Sequence, residues 1–584
     1  MVREPARVGQ EIAVELSAGQ RVDLEKIVAI HSSRDRASAD SATEARTTLG
    51  RAGSFDELLA SHALAWTHLW RRCDLDAVEV DADAFHHTHL IVRLHVFHLL
   101  QTASMRTMEL DVGIPARGWH GEGYRGHIFW DELFILPFLS LRMPLLARTL
   151  LLYRYRRLPE ARWAAREAGY RGAMFPWQSG SNGSEETDVA YFNPRAGSWI
   201  RDDTHLQRHV GAAIAYNVWH YYQATGDDEF LFVYGAELLC EIARFWASIA
   251  QWNDARGRYD IRGVVGPDEF HVRYPGRAEP GLDNNAYTNV MASWCLIRAR
   301  DALDLLPAER RRELSELMAL GQDEIERWAD VSRKLYLPFH ADGILSQFEG
   351  YEALEELDWE DYRRRYGDIA RLDLILNAEG DSPDRYKLSK QADVLMLFYL
   401  FSARELQGLF EGLGYPFDAA TIPRTIDYYL ARTSHGSTLS GVVHAWVLAR
   451  SCRPRSWRIF VDALRSDIDD IQGGTTAEGI HLGAMAGTVD LLQRCYTGLE
   501  LRGGELRFDP VLPDELDRLS FDLRYRQQSL SIDFTASTLT VASAPGAAAA
   551  ITIVVDDQSV MLDPGAQKVI PLAQTGLDRT EGCE

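Results

Sequence analysis

Apolar residues recur at helical spacing through the middle of this sequence. The stretches alternate with loops rich in Gly, Pro, Trp and Asp, as expected when helices follow one another along the chain. A helical succession of this length predicts a toroid of helical hairpins. The predicted helical stretches are 84–104, 132–154, 207–224, 229–250, 286–305, 309–328, 389–401, 403–412, 440–450, 455–466 and 483–496.

The pattern changes to β at both ends of the chain. Residues 11–16 and 22–30 alternate between polar and apolar and predict a β-pair, which needs a further surface to dock on. Residues 33–72 are rich in Ala, Arg and Glu and predict linking helices. After Gly503-Gly504 the predicted strands are 519–525, 529–534, 539–541 and 550–555.

These patterns predict a mainly α protein with four parts. They are strands at 1–32, a helical linker at 33–75, a helical domain at 76–500, and a small C-terminal β domain with a tail at 501–584. The length of 584 residues is consistent with several domains or with one large barrel carrying additions.

Composition narrows the function classes. The net charge of −23 argues against nucleic acid or an anionic membrane as the main partner. The N-terminus has no apolar core of a signal peptide, and no apolar run reaches the length of a membrane span. Six scattered cysteines without a C-x-x-C pair favour a reducing compartment, so we expect a cytoplasmic protein.

One loop has the composition of a proton-transfer site. Gly266–His271 reads Gly-Pro-Asp-Glu-Phe-His and is followed by the Asp-Asn-Asn cluster at 283–285, which predicts the start of a helix. A carboxyl group on a loop over a rigid scaffold is well placed for general acid catalysis. An acidic surface loop followed by a helix cap is the alternative.

Aromatic and amide-bearing loops suggest a sugar site. Trp130 next to Asp131, and Trp177 in a second aromatic loop, could contact a sugar face and its hydroxyls. Lys390 and Gln391 open a helix, where they could donate to hydroxyl groups. Core tryptophans, an N-cap aspartate and a solvated helix end are the alternatives.

Two loops rich in glycine and hydroxyl residues precede helical stretches and favour anion binding. Free backbone N–H groups, hydroxyls and basic side chains at a helix start can hold an oxyanion. The candidate residues are Arg432, His435, Gly436, Ser437, Gly474, Thr475, Thr476 and His481.

Two further motifs are set aside. Gly121–Gly126 matches G-x-G-x-x-G, but no strand precedes it, so a dinucleotide site is not predicted. His86, His87 and His89 have no acid or thiol at a matching spacing and fit a helix start, so no metal is predicted.

Together, the stretches 121–131, 266–271 with 283–289, 390–393, 432–440 and 473–483 resemble glycoside hydrolase family 65, whose members are mostly inverting disaccharide phosphorylases. They occur in the family's order and span roughly residues 10–530. The resemblance implies an (α/α)6 barrel with a C-terminal β-sandwich domain and an N-terminal β-sandwich, most of which we expect to be missing.

The resemblance also implies the chemistry. It makes Glu269 the general acid, places Trp130, Asp131, Lys390 and Gln391 around the transferred glucose, and assigns phosphate to the two glycine-rich loops. The expected reaction is phosphorolysis of an α-glucosyl disaccharide such as trehalose, maltose or kojibiose, with phosphate as co-substrate and no cofactor. A phosphorylase needs one carboxyl acid and an anion pocket, because phosphate replaces the base and water of an inverting glycosidase.

Other functions stay open. A hydrolase of the same fold would use water and a second carboxylate such as Glu478. A truncated, catalytically weak carbohydrate-binding homologue is a further alternative. A homodimer is also possible.

Overall fold

The structure, a computed structural model, describes residues 2–4, 7–80, 82–416, 418, 420–471 and 475–572. Of residues 2–4, 7–8 and 82–87 it describes the backbone alone. The chain forms two compact units, Met1–Trp70 and Arg71–Glu584. In the described part of the chain, no helix combines the length and hydropathy that crossing a membrane requires.

The first unit contains less β-structure than the sequence predicts. Strands β1 (Val2–Glu4) and β2 (Arg7–Gly9) pair antiparallel, and helix α1 spans Ser41–Arg51. The predicted pair at 11–16 and 22–30 is wrong, because these residues form no strand. Alternation defines two faces, but a strand also needs a hydrogen-bonding neighbour. Within the described residues neither segment has one, and most of their apolar side chains are exposed.

Helices make up most of the second unit. The helix α2 (Phe55–Cys73) begins in the first unit and ends in the second. The others are α3 (Ala82–Thr102), α4 (Glu132–Arg142), α5 (Pro144–Arg156), α6 (Leu158–Glu167), α7 (Val210–Thr225), α8 (Asp228–Phe230), α9 (Ala236–Ile249), α10 (Ala286–Leu305), α11 (Ala308–Leu317), α12 (Gln322–Lys334), α13 (Trp359–Tyr366), α14 (Leu372–Ala378), α15 (Leu395–Leu400), α16 (Ala403–Gly412), α17 (Thr421–Leu430), α18 (Thr438–Leu448), α19 (Arg453–Arg465) and α20 (Leu482–Asp490).

Six of these helices close a ring, so the predicted (α/α)6 barrel is confirmed. In order around the ring, α4 packs on α7, α7 on α10, α10 on α15, α15 on α18, α18 on α20, and α20 on α4. The outer helices α3, α5, α9, α12, α17 and α19 each pack against one or two of these inner helices. Inner helices are surrounded by protein, which explains why every residue of α4 and α20 is buried.

Two of the predicted helices are broken. The stretch 132–154 ends at Arg142 and restarts at Pro144, since proline is favoured in the first turn of a helix. The stretch 309–328 divides before Gly321, where Ala319 adopts a positive φ of 47°. Helices α6, α13, α14 and α17 were not predicted. These helices are short, so periodicity gives a weak signal for them.

The C-terminal β domain is confirmed and consists of two sheets. One sheet has the order β15-β12-β11-β10-β3 and the other the order β14-β13-β9-β8. Strand β3 (Leu75–Glu79) precedes the barrel and pairs antiparallel with β10. The other strands are β8 (Glu500–Arg502), β9 (Glu505–Phe508), β10 (Leu516–Tyr525), β11 (Gln528–Thr535), β12 (Thr538–Ser543), β13 (Ile551–Val555), β14 (Gln558–Leu562) and β15 (Gln567–Pro571). Two hairpins lie within the barrel sequence: β4 (Ala190–Asn193) with β5 (Ser198–Arg201), and β6 (Gln251–Asn253) with β7 (Arg258–Asp260).

Candidate active site

The N-terminal ends of the six inner helices meet at one end of the barrel. Residues in their first turns, or within a few positions before them, contact one another around the whole ring. The contacts are Asp131 with His481, His481 with Thr438, Gly436 with Lys390, Asp393 with Asn285, Tyr287 with His209, and His209 with Trp130. Helix N-termini carry unpaired N–H groups and a partial positive charge, so this end of the barrel favours an anionic ligand.

The predicted acid Glu269 lies on a loop before α10, at this same end. Its backbone φ is 66°, a left-handed conformation that is uncommon for a residue other than glycine. Such backbone strain persists only where the surroundings fix it. Here the neighbouring residue Asp268 supplies the restraint.

Asp268 is buried and fastens the loop to the barrel. Its Oδ1 accepts a hydrogen bond from the Lys390 backbone N–H (2.7 Å), and its Oδ2 accepts one from Gln347 Nε2 (3.0 Å). His271 donates to the same Oδ2 from its ring Nδ1 (2.7 Å) and from its backbone N–H (3.2 Å). Four donors on one carboxylate fix its position.

His271 is held between two acceptors. Its Nδ1 faces the Asp268 carboxylate, and its Nε2 faces the carbonyl oxygen of Tyr386 at 2.8 Å. Neither partner can donate, so both ring nitrogens carry a proton and the ring is an imidazolium. Burial lowers the pKa of His271, but the hydrogen bond and charge of Asp268 outweigh it, and the net direction is upward.

A second buried carboxyl group, Asp393, lies behind the loop. It accepts hydrogen bonds from Asn285 Nδ2 at 3.1 and 3.2 Å. Burial and then the nearby charge of Asp268 raise the pKa of Asp393 well above its usual range. Gly266 packs so close to Asp393 and Asn285 that a Cβ at this position would collide with both side chains.

Lys390 pairs with the predicted acid. Its Nζ forms an ion pair with Glu269 Oε2, and both side chains keep about a fifth of their surface exposed (22% and 19%). Burial lowers the pKa of Lys390 and the Glu269 charge raises it, with a net upward direction. The neighbouring Gln391 donates from Nε2 to the Pro267 carbonyl at 2.7 Å, so it too holds the loop.

The residues predicted to bind glucose lie deep in the barrel mouth. Asp131 accepts from His481 Nε2 at 2.8 Å and makes no capping bond to α4. Trp130 is only 3% exposed and contacts Trp177 and His209, with ring centroids 6.1 and 5.1 Å away. Most of the Trp130 ring is therefore packed, which leaves a small part of it to contact a sugar.

In the first predicted phosphate loop, several groups that could bind phosphate already have partners within the protein. The Gly436 backbone N–H donates to the Lys390 carbonyl at 2.8 Å, and a Cβ here would collide with the Ala370 carbonyl. Ser437 caps α18 by accepting from the Leu439 backbone N–H. His435 has a positive φ of 58°, and burial lowers its pKa to about 4. With this pKa the ring is neutral near pH 7, and a role for His435 in phosphate binding stays a prediction.

Arg432, of the same loop, is engaged elsewhere. Its guanidinium forms a two-point ion pair with Glu356 (3.1 Å for both bonds) and donates to the Tyr428 carbonyl at 3.0 Å. It also stacks over the Tyr428 ring. A role in phosphate binding would require this ion pair to open.

The second predicted phosphate loop is described from Thr475 onward, and Gly474 lies outside the described residues. The Thr476 hydroxyl donates to Asp467 at 3.2 Å. His481 contacts Asp131 through Nε2 and the Thr438 hydroxyl through Nδ1, so it joins the predicted glucose residues to the predicted phosphate residues.

Some residues near the site were missed from sequence. Asp373 forms a two-point ion pair with Arg371 (2.9 and 2.7 Å) and lies 3.5 Å from the Tyr191 hydroxyl of the β4–β5 hairpin. His209, buried among aromatic rings, is neutral because burial lowers its pKa to about 3. No local motif marks these residues, since the contacts of Asp373 with Tyr191 and of His209 with Trp130 join residues that are distant in sequence. Within the described residues, no cluster of three His, Cys, Asp or Glu side chains could hold a metal.

Sequence comparisons match three domains of one family. The glycosyl hydrolase family 65 central catalytic domain matches residues 93–490, its C-terminal domain residues 499–562, and its N-terminal domain residues 2–69. The N-terminal domain is therefore represented, and the expectation that most of it is missing is wrong. The division at residues 32, 75 and 500 remains a prediction.

Individual relatives are similar over most of this chain. An uncharacterized glycosyl hydrolase of Mycobacterium tuberculosis is 56% identical over 95% of this chain, which spans 41% of that relative. Trehalose 6-phosphate phosphorylase of Lactococcus lactis is 37% identical over 96% of this chain and 70% of its own length. Kojibiose phosphorylase of Halothermothrix orenii is 34% identical over 89% of this chain and 64% of its own length.

A solved structure has the same fold. It is described as a putative kojibiose phosphorylase from the human microbiome, and it superposes with a TM-score of 0.73 at 23% identity. The match covers 91% of this chain and 72% of that one. At this identity the likeness supports the fold alone.

Proposed function

Because the chain belongs to glycosyl hydrolase family 65, we propose that it catalyses phosphorolysis of an α-glucosyl disaccharide by inorganic phosphate. The observation that carries the proposal is the position of Glu269, on a restrained loop at the end of the barrel where six helix N-termini meet. That arrangement combines one carboxyl acid with a region suited to an anion. Phosphorylases among the relatives support the same reaction class.

The reaction needs two events at the anomeric carbon. Glu269, in its protonated form, donates its proton to the glycosidic oxygen as the bond from that oxygen to the anomeric carbon breaks. A phosphate oxygen forms a new bond to the same carbon from the opposite face. The centre is inverted, and the products are β-glucose 1-phosphate and a free sugar. Glu269 becomes a carboxylate, and Lys390 beside it stabilises that charge.

The hydrolase alternative needs a carboxylate that is free to activate water. The buried carboxyl groups near the acid are already engaged: Asp268 with His271, Asp373 with Arg371, and Asp131 with His481. Glu478 is exposed on a short turn (Thr476–Glu478). These engagements favour phosphate over water as the nucleophile.

We propose that Trp130, Asp131, Trp177, Lys390 and Gln391 surround the transferred glucose. In this proposal His481 and the loops at 435–437 and 474–476 hold phosphate. Ser437, at the N-cap of α18, presents a hydroxyl beside a helix N-terminus. The neutral His435 would act as a hydrogen-bond donor and not as a cation. Arg432 would join only after releasing Glu356.

The deciding experiment incubates the purified chain with single disaccharides, with and without inorganic phosphate. The panel includes trehalose, trehalose 6-phosphate, maltose, kojibiose and nigerose. We expect sugar release that depends on phosphate, and β-glucose 1-phosphate identified by NMR. Equal release of free sugars without phosphate would identify a hydrolase. If the folded protein turns over none of these sugars, the result supports the alternative of a carbohydrate-binding homologue. Glu269→Gln is the negative control.

A further inference from the structure

A second cavity lies at the opposite end of α4 from the candidate active site. It has a volume of about 400 Å³ and is bounded by the end of α2, the end of α4 and the β10, β11 and β12 strands. Its lining includes Arg142, the last residue of α4, whereas Asp131 directly precedes the first residue of the same helix. Eleven helical residues separate the two ends by about 16 Å, so the cavity is distinct from the barrel mouth.

Four arginines line this cavity: Arg71, Arg72, Arg142 and Arg524. Across the part of the chain that the structure describes, none of them forms an ion pair with a carboxylate. Most other buried arginines of this chain do, such as Arg154 with Glu132 at 2.7 Å. Arg71, Arg72 and Arg524 are exposed and Arg142 is buried, so the cavity gathers four guanidinium groups in a protein with a net charge of −23.

Arg142 is the most informative of the four because it is buried at 1% exposure. Its Nε donates to Gln493 Oε1 (2.7 Å), and its Nη1 donates to the Arg72 and Asp74 carbonyls (3.2 and 3.3 Å). These acceptors are neutral. Its Nη2 has no hydrogen-bond partner in the described part of the chain, and the group lies over the Phe521 ring. Burial lowers the pKa of Arg142 to about 10, although the charges of Asp522, Asp74 and Asp490 nearby act in the opposite direction.

The strands add hydroxyl groups to the same cavity. Ser529 lies directly opposite Arg524, and Ser531 directly opposite Asp522, in the pairing of β10 with β11. Asp522 is the carboxylate among the lining residues. Four arginines and one aspartate leave a local excess of positive charge, which suits a ligand carrying two negative charges.

We propose that this cavity binds a small phosphate-bearing anion, either free inorganic phosphate or a sugar phosphate. The volume is within the range of small-molecule sites. Arginine forks and hydroxyls are the donors that recognise phosphate oxygens. A bound dianion would balance the positive charge by which the four arginines exceed Asp522. The proposal does not depend on the reaction proposed for the barrel mouth.

Isothermal titration calorimetry on the full chain tests this proposal, with inorganic phosphate and glucose 6-phosphate as separate probes. The test variant is Arg71→Ser/Arg524→Ser, because both side chains are exposed and their loss leaves the core intact. The matched control is Arg166→Ser, which removes an exposed arginine of α6. Each lost charged hydrogen bond weakens binding by about tenfold or more.

The stoichiometry separates the two sites. We expect the unaltered chain and Arg166→Ser to bind anion at the cavity, and the double variant to lose one equivalent. If the barrel mouth binds no phosphate, the unaltered chain shows one equivalent and the double variant none, so failure of the proposed function remains distinguishable. If glucose 6-phosphate binds with higher affinity than inorganic phosphate, the ligand is a sugar phosphate. Unchanged stoichiometry and affinity in the double variant would overturn the proposal.

Discussion

His271 and Asp268 form a buried ion pair directly behind the predicted acid, with Nδ1 and Oδ2 2.7 Å apart. Because the Tyr386 carbonyl accepts from the other ring nitrogen, His271 is a cation in the folded protein. The pair fastens the loop that carries Glu269. Protonation of one ring is thus coupled to the position of the loop.

This coupling predicts a pH-dependent stability. The folded-state pKa of His271 lies above its unfolded value, so its contribution is complete below the unfolded pKa and is lost as pH rises through the folded pKa. We expect His271→Asn to lower the melting temperature more at pH 6 than at pH 9. Thermal unfolding of the unaltered chain and of His271→Asn between pH 6 and pH 9 measures this difference in melting temperature. A difference that stays constant or grows with pH would contradict the assignment.

Glu269→Gln tests the acid directly. The amide keeps the shape of the side chain but has no proton to donate, so turnover should fall by about 10²–10⁴-fold. A substrate with a good leaving group, such as an α-glucosyl fluoride, should lose much less, because it needs little protonation. Circular dichroism verifies folding. Near-normal turnover of a disaccharide by the folded variant would remove Glu269 from the acid role.

Asp131→Ala should impair every glucosyl donor to a similar degree. The side chain lies at the start of α4 and accepts from His481, so its loss leaves this partly buried ring N–H without a partner. Values of kcat/KM for two disaccharides with different acceptor sugars provide the measurement. A change in the preference between the acceptors, with donor use intact, would place Asp131 in the other subsite.

Ser437→Ala should weaken the binding of phosphate and leave the binding of the disaccharide unchanged. Its hydroxyl caps α18 at the barrel mouth, and a hydrogen bond to a charged ligand contributes about 1.5–3 kcal/mol. The KM for phosphate should therefore rise about tenfold or more. Ser451→Ala, in the turn after α18, serves as a control outside the mouth. An equal rise in the KM for disaccharide would indicate general damage to the site.

Gly266→Ala should destabilise the protein, because the added Cβ meets Asp393 and Asn285. Overpacking of this kind typically costs about 1–3 kcal/mol. Gly408 of α16 has open space around it and is the matched control, at which alanine should be neutral or stabilising. Denaturant unfolding of both variants compares them. Equal stability of the two variants would contradict the close packing at Gly266.

Local sequence signals located the loops of the site but not their connections. The Gly-Pro turn and the Asn285 cap predicted where the acid loop ends and α10 begins, since turn and capping residues act over a few positions. The contact of Asp393 with Asn285 joins residues far apart in the chain, and no local pattern encodes it. The engagement of Arg432 by Glu356 was unpredictable for the same reason.

The predictions for the β segments differ in outcome for a physical reason. Residues 519–525 and 529–534 alternate and lie next to each other, so a short turn brings them into register. Residues 11–16 and 22–30 alternate equally well, but they remain without a partner strand in the described part of the chain. Alternation reports which side chains share a face, and it does not report whether a neighbour exists.

The edge strand β3 has a consequence for how the protein is made. Leu75–Glu79 emerges from the ribosome before the barrel, yet its partner β10 follows the last barrel helix. The C-terminal sheet therefore cannot be completed until the entire barrel sequence has been synthesised. Until then Leu75 and Ala77, which are buried in the finished sheet, have no strand to cover them. A nascent chain that stalls within the barrel sequence would therefore expose an unpaired strand edge. We expect chaperones to bind the nascent chain most strongly at this stage.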